Sequence, residues 1–185
     1  MANGKLFVIS GASGVGKSTV LSRVMAGRSD LRFSVSATTR KPRPGEIDGQ
    51  DYYFISKDKF QEMIDSQAFL EYDAHMDNYY GTPLAQLEEK LHTGSVILDI
   101  EPNGAFNVRR KMADAVLIFI APPSLEELES RLRGRGDTSE EQIRVRQARV
   151  AWEMEQSKAY DYVVVNDRVE NCAREILEII AHEAD

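Results

Sequence analysis

Eight consecutive residues, Gly11-Ala12-Ser13-Gly14-Val15-Gly16-Lys17-Ser18, keep the spacing G-x-x-x-x-G-K-[ST] of a P-loop. The chemistry this spacing serves is phosphate binding. Glycines let successive backbone N–H groups turn inward around phosphate oxygens, and the helix N-terminus that follows adds positive potential. Lys17 would reach the outer phosphates of a nucleoside triphosphate, and Ser18 would ligate Mg2+. A second element, Val96-Ile97-Leu98-Asp99, is an apolar run ending in a carboxylate, suited to act on the metal through water when it sits beside a P-loop. Glu101, two residues on, should share a strand face with Asp99. The third element is Ser36-Ala37-Thr38-Thr39-Arg40-Lys41-Pro42-Arg43, where a strand ends in three closely spaced cations. Arg40 and Arg43 suit a clamp on a second phosphate, because guanidinium groups match phosphate with paired donors and Pro42 stiffens the turn between them.

Those groups need a scaffold, and the chain alternates the elements of one. Leu6–Ile9 is a short β-branched and aromatic run that leads through the glycine loop into a helical pattern at about 17–26. Buried-strand signals recur at 95–100, 115–121 and 162–165, separated by helical stretches at 103–111, 124–133 and 140–158. This alternation predicts an α/β fold with a P-loop NTPase-type parallel sheet flanked by helices. Ser124 with Glu127, and Ser139 with Gln142, have the spacing of capping boxes at two of the helix starts. Between 32 and 80 the texture changes: strands at 33–36, 51–55 and 68–72 mix with turns, which predicts an inserted β-rich lobe. Lys41-Pro42-Arg43-Pro44-Gly45 reads as a rigid turn, and the arginine- and glycine-rich run 131–137 as a mobile loop between helices.

Composition narrows the partners. The chain has 185 residues, 42% of them hydrophobic, and 30 acidic against 23 basic side chains give a net charge of -7. A chain of this length buries roughly 70% of its unfolded surface, enough for one self-sufficient domain. A whole-protein field of negative sign argues against general adhesion to nucleic acid or to an anionic membrane, so an anionic substrate must meet a local basic site. No apolar run approaches the roughly 20 residues of a membrane-spanning helix. A single cysteine, Cys172, leaves neither an intramolecular disulfide nor a cysteine-rich metal site, and reads as a packed small residue of a C-terminal helix. The N-terminal residues run at once into the first strand with no signal-peptide pattern, and the expected location is cytoplasmic.

Further motifs follow in order: Gly45-Glu46-Ile47-Asp48-Gly49-Gln50-Asp51-Tyr52, Phe69-Leu70-Glu71-Tyr72, Asn78-Tyr79-Tyr80-Gly81-Thr82-Pro83, Ala121-Pro122-Pro123-Ser124, Arg133-Gly134-Arg135-Gly136 and Tyr160-Asp161-Tyr162-Val163-Val164-Val165-Asn166-Asp167. Taken with the P-loop, this ordered set closely resembles the guanylate kinase family across essentially the whole chain. The resemblance implies transfer of the γ-phosphoryl of ATP to GMP, and to dGMP, with Mg2+ as cofactor. Either a monomer or a homodimer is compatible with it. It implies a core at about 1–32, 83–124 and 159–185, a GMP-binding lobe at about 33–82 and a mobile lid at about 125–158. By the same resemblance Arg40, Arg43, Tyr52 and Tyr80 hold the GMP phosphate, and Ser36, Glu71 and Thr82 read the base, with Asp99 and Glu101 close by. Lys17, Ser18 and Thr19 bind the ATP phosphates, Arg135 and Arg146 neutralise the transferring group, and Asn166 and Asp167 border the adenine.

The physical logic agrees for Glu71. Guanine presents N1–H and a 2-amino group as adjacent donors that one carboxylate accepts together, whereas adenine has an acceptor at N1 and no 2-amino group. A guanylate-kinase-like binding module that captures phosphorylated peptides has no need for Lys17 and Ser18 at full P-loop spacing. A kinase of the same fold with another acceptor is disfavoured by the combination of Ser36, Glu71 and Thr82. Two stretches depart from the commoner family pattern: Glu101-Pro102-Asn103-Gly104, where Glu101 replaces a shorter carboxylate, and His75-Met76-Asp77-Asn78, whose Asp77 adds an acidic group expected to weaken GMP binding modestly. Arg131, Arg133, Arg144 and Arg149 read as supportive or solvated. Phe60 and Met63 read as core at helical spacing and Trp152 as a packing residue, while His75, His92 and His182 lack ligand spacing.

Overall fold

The computed structural model describes residues 4–75, 77–124, 126 and 140–184. Strand β1 (Leu6–Gly11) is buried along its whole length and leads through the glycine loop into α1 (Lys17–Gly27). The chain continues through β2 (Arg32–Phe33), β3 (Ala37–Thr38), β4 (Tyr53–Phe54), α2 (Lys57–Asp65), β5 (Phe69–His75), β6 (Asn78–Pro83) and α3 (Leu84–Leu91). Then come β7 (Val96–Asp99), α4 (Pro102–Lys111), β8 (Val116–Ala121), α5 (Glu140–Gln156), β9 (Tyr162–Val165) and α6 (Val169–Ala184).

Five strands form a sheet of order β2-β7-β1-β8-β9 in which every pairing is parallel. The near-continuous apolar runs of β1, β7 and β8 are what a central parallel strand covered on both faces requires. On α6, Cys172, Ala173, Ile176, Ile179 and Ile180 are buried at helical spacing, and the helix packs against α1. Pro102 opens α4 at a first-turn position, where a missing N–H costs little. The sequence expectation of a parallel α/β core holds.

Four strands form a second, smaller sheet of order β4-β3-β6-β5, antiparallel between β3 and β6 and between β6 and β5. Its small core is Ala37, Phe60 and Phe69, with the Phe60 ring stacked 4.4 Å from Phe69 and 5.4 Å from Tyr79. Helix α4 touches both β1 and β5, and so ties the two sheets together.

Several local expectations differ from the structure. The strand expected at 33–36 is divided: β2 pairs with β7 in the large sheet, and β3 begins only at Ala37 in the small one. Residues 34–36 carry the chain between sheets, with the Ser34 amide still donating to Ile97 and the Ser36 carbonyl already accepting from Tyr53. The strand expected at 51–55 shortens to Tyr53–Phe54, and that at 68–72 extends to His75. Helix α2 carries Phe60 and Met63 at the helical spacing expected of them and is capped by the Ser56 hydroxyl accepting from the Lys59 amide at 3.1 Å, while α3 adds a helix where the sequence pattern predicts no element. Trp152 is 41% exposed on α5, because the buried positions of that helix face are Val150 and Glu153 instead. Phe60 and Cys172 are buried as expected. The capping pairs Ser124 with Glu127 and Ser139 with Gln142, and the loop at 131–137, fall wholly or partly outside the described residues.

Candidate active site

The site lies at the carboxyl ends of β1 and β7, where open parallel sheets place their ligands. Gly14 and Gly16 take φ of 83° and 90°, a region closed to most side chains, which lets the chain curl between strand and helix. Gly11 is needed for another reason: a Cβ there would stand 3.1 Å from the Ile120 carbonyl and from Val15. The loop is braced from outside. The Val15 carbonyl accepts from the buried Asn166 side-chain amide at 2.8 Å, and the Ser13 amide donates to Glu153 at 2.8 Å. Ala12 is buried, while Ser18 and Thr19 are exposed in the first turn of α1.

Lys17 forms an ion pair with Asp99, which ends the neighbouring strand. Burial works against the lysine charge, but Asp99, by charge and hydrogen bond, together with Glu101, holds the ammonium above its ordinary range. Beside this pair opens a cavity of about 220 Å3 whose walls include Lys17, Ser36, Tyr52, Glu71, Tyr80, Asp99 and Glu101. Seven residues nominated from sequence, spread from 17 to 101, therefore meet in one place.

Glu71 sits at its back, 4% exposed. A register shift between Phe69 and Glu71 on β5 sets Glu71 directly across from Thr82 on β6, and the Thr82 hydroxyl donates to it at 2.6 Å. Burial pushes the Glu71 carboxyl up to about 7, with Asp73 adding to the rise and the Thr82 hydrogen bond opposing it. Thr82 is fully buried, and its hydroxyl is committed to orienting the carboxylate.

The arginines are placed differently. Arg40 lies outside the cavity lining and is held through Nη1 and Nη2 by Glu46, at 2.9 and 2.8 Å. Those hydrogen bonds raise the guanidinium pKa and lower that of Glu46 to about 2. The Arg40 guanidinium lies 5.3 Å from the Tyr52 ring centre, and Tyr52 meets Tyr80 edge-on at 6.1 Å, so the three form one wall. Arg43 is exposed, with its backbone amide donating to Glu46 at 2.6 Å. Arg135 lies outside the described residues, as does the side chain of Arg146 on α5. Asn166 braces the P-loop from its buried position, and the exposed Asp167 accepts from the Arg168 amide at 2.6 Å. Asp77 is exposed in the turn joining β5 to β6, at φ 62°, and does not line the cavity.

Sequence reasoning missed four residues of this neighbourhood. Asp73 lines the cavity two positions from Glu71, on the same strand face. Gly104, on α4, approaches Glu71 so closely that a Cβ would stand 2.8 Å from Oε2. Glu153 and Arg149, on α5, reach Ser13 and Glu101. Only the alternation along β5 gave a signal for Asp73; the other contacts are between distant segments. Gly104→Ala is expected to lower kcat/KM for the acceptor nucleotide about tenfold by displacing the pinned Glu71 carboxylate. Its melting temperature should change by only a few degrees, because alanine's better helix propensity offsets part of the cost of moving the carboxylate. Steady-state kinetics paired with thermal melts test that split.

The donor set fits a hard divalent cation. Ser18 offers a hydroxyl in the first turn of α1 and Asp99 a carboxylate at the end of β7, and among the described residues no cluster of three or more carboxylate, histidine or cysteine ligands exists. Mg2+ suits such a site, since it binds through one or two protein oxygens plus water and substrate phosphates.

The guanylate kinase family model matches residues 3–183 of the chain. Among its relatives, the guanylate kinase of Lactococcus lactis subsp. lactis (strain IL1403) is 48% identical over 181 residues, covering 97% of this chain and 88% of its own length. A guanylate kinase of Thermus thermophilus is 47% identical over 181 residues, covering 97% of this chain and 82% of its own. The crystal structure of guanylate kinase from Anaplasma phagocytophilum superposes with a TM-score of 0.80 at 33% identity, over 100% of this chain and 88% of that one. With a P-loop, a buried carboxylate beside it and this likeness along its whole length, the chain belongs to the guanylate kinase family of nucleoside monophosphate kinases.

Proposed function

We propose that the chain transfers the γ-phosphoryl group of ATP to GMP, and also to dGMP, with Mg2+ as cofactor. The observation that carries this reading is the buried Glu71 carboxylate, fixed by Thr82 in a cavity shared with Lys17 of the P-loop. Glu71 accepts guanine N1–H and the 2-amino group, and Ser36 contributes a hydroxyl to the base. Tyr52, Tyr80, Arg40 and Arg43 hold the GMP phosphate, with Glu46 pre-orienting the Arg40 fork. The backbone amides of Gly14, Val15 and Gly16, with Lys17, Ser18 and Thr19, hold the ATP phosphates. Asn166 and Asp167 border the adenine.

A GMP phosphate oxygen forms a bond to the γ-phosphorus as the bond to the β–γ bridging oxygen breaks, giving GDP and ADP. The acceptor oxygen is already anionic, so catalysis is positioning and charge stabilisation. Lys17, Arg135 and Arg146 neutralise charge on the transferring group. Mg2+, held by Ser18 and by Asp99 through water, would neutralise charge on the outer phosphates. Inward movement of the lobe at about 33–82 and the lid at about 125–158 would exclude water and suppress ATP hydrolysis. Among the described residues no helix is long and apolar enough to cross a membrane.

ADP formation from Mg-ATP with GMP, dGMP, AMP, UMP or no acceptor tests the reading. Strong dependence on GMP and dGMP with little AMP turnover is the expected result. Binding of ATP and GMP without turnover would instead favour a module that captures phosphorylated ligands.

A further inference from the structure

We infer that Glu153 and Arg149 form a positioning bridge that couples the P-loop to the acceptor cavity through Glu101. Glu153 is 1% exposed on α5, and its two oxygens face different partners. Oε2 accepts from the Ser13 amide at 2.8 Å, and Oε1 accepts from Arg149 Nε at 2.9 Å. Arg149 then donates from Nη2 to Glu101 Oε2 at 2.6 Å. Glu101 in turn occupies the residue just before α4 and lines the cavity that contains Glu71 and Ser36. Three side chains thus connect the nucleotide-phosphate loop to a wall of the acceptor pocket.

Helix stability does not explain the arrangement. Arg149 precedes Glu153 by four residues, the less favourable order for an i,i+4 pair against the helix dipole. A buried carboxylate is also costly in itself, and burial pushes that of Glu153 upward while Ser13 and Arg149 oppose the rise. A neutral amide would satisfy the Ser13 N–H equally well. What only a carboxylate supplies is a simultaneous hold on the guanidinium, and that guanidinium spans two carboxylates with one planar fork. The longer side chain at 101 acquires a purpose here: it reaches Arg149 with one oxygen while bordering the cavity. Arg149 also offsets negative charge on a wall shared by Asp99, Glu71 and Asp73, beside which an anionic nucleotide must bind.

The inference rests on the GMP kinase reading, so the unmodified chain is assayed first with Mg-ATP and GMP. Arg149→Met is expected to raise KM for GMP about five- to tenfold, with KM for ATP changed less than about twofold. Glu153→Gln keeps an acceptor for Ser13 but loses charge toward Arg149, and should give a shift in the same direction. In the double variant the two effects should overlap instead of multiplying, because both break one chain of contacts. Arg149→Lys, which cannot span both carboxylates, should restore part of the GMP affinity. Unchanged KM for GMP in Arg149→Met, multiplying effects in the double variant, or a loss confined to thermal stability would each overturn the bridge. Absence of GMP-dependent turnover in the unmodified chain would overturn the kinase reading itself, and the bridge with it. Arg149 is partly exposed, so its variants should fold even where Glu153→Gln does not.

Discussion

Lys17→Met is expected to lower kcat for ADP formation from Mg-ATP and GMP by about a thousandfold, the scale on which a charged group at a transferring phosphoryl acts. The loss follows from position as well as charge. Lys17 begins α1 directly behind Gly16, and it also lines the acceptor cavity, so one ammonium lies between the two sites whose phosphates must meet. Its pairing with Asp99 keeps it charged across the physiological range, so the proposed contact with phosphate should be insensitive to pH. The same substitution leaves Asp99 without its ion-pair partner, so a second variant separates chemistry from stability. Asp99→Asn combined with Lys17→Met should recover melting temperature but not kcat. Retention of kcat within tenfold of the unmodified enzyme in Lys17→Met would remove the lysine from the reaction.

Glu71→Gln is expected to reduce kcat/KM for GMP by about 10^2 to 10^4, because a site built to accept two guanine donors would then present an amide N–H to one of them. KM for ATP should be little changed. The unmodified enzyme should also lose GMP affinity as pH falls below about 7, since only the ionised Glu71 accepts both donors. Glu71→Gln should shift the dependence toward the titration of the GMP phosphate itself, at about pH 6.

Stability moves the other way. The folded carboxyl holds its proton more tightly than the unfolded one, with a value of about 7 against an ordinary 4.5. Its stabilising contribution is therefore complete below about pH 4.5 and is lost as pH rises through about 7, costing on the order of 3 kcal/mol above it. Glutamine carries no such charge and can still accept from Thr82, so Glu71→Gln should melt at a higher temperature than the unmodified protein at pH 8. Equal losses in ATP and GMP kinetics, or a lower melting temperature at pH 8, would remove Glu71 from base recognition.

How much of this was legible depended on how local each requirement is. The P-loop was readable in eight contiguous residues, because its demands are a strand, glycines at positive φ and a helix start in immediate succession. The parallel sheet was readable because strands buried on both faces are apolar throughout. Ser36, Tyr52, Glu71 and Tyr80 came from the ordered resemblance to a family, since no spacing rule alone brings residues 36 to 80 into one cavity. Helix α2 was legible only as the helical spacing of Phe60 and Met63 because, of its nine residues, only Phe60 is fully buried, and the strand at 33–36 was divided because its two ends pair in different sheets.

The amino-acid sequence by itself determined the nucleotide-phosphate loop, the class of fold and the residue types suited to guanine and phosphate, because these follow from local backbone geometry and periodic burial. Only the tertiary structure decided which side chains are committed to one another. The Thr82 hydroxyl behind Glu71, the approach of Gly104 and the reach of Arg149 to Glu101, 48 residues away, all depend on how α4, α5 and the two sheets pack. Hydrogen bonds and ion pairs are decided by distances of a few tenths of an ångström, and those distances exist only once the core has closed.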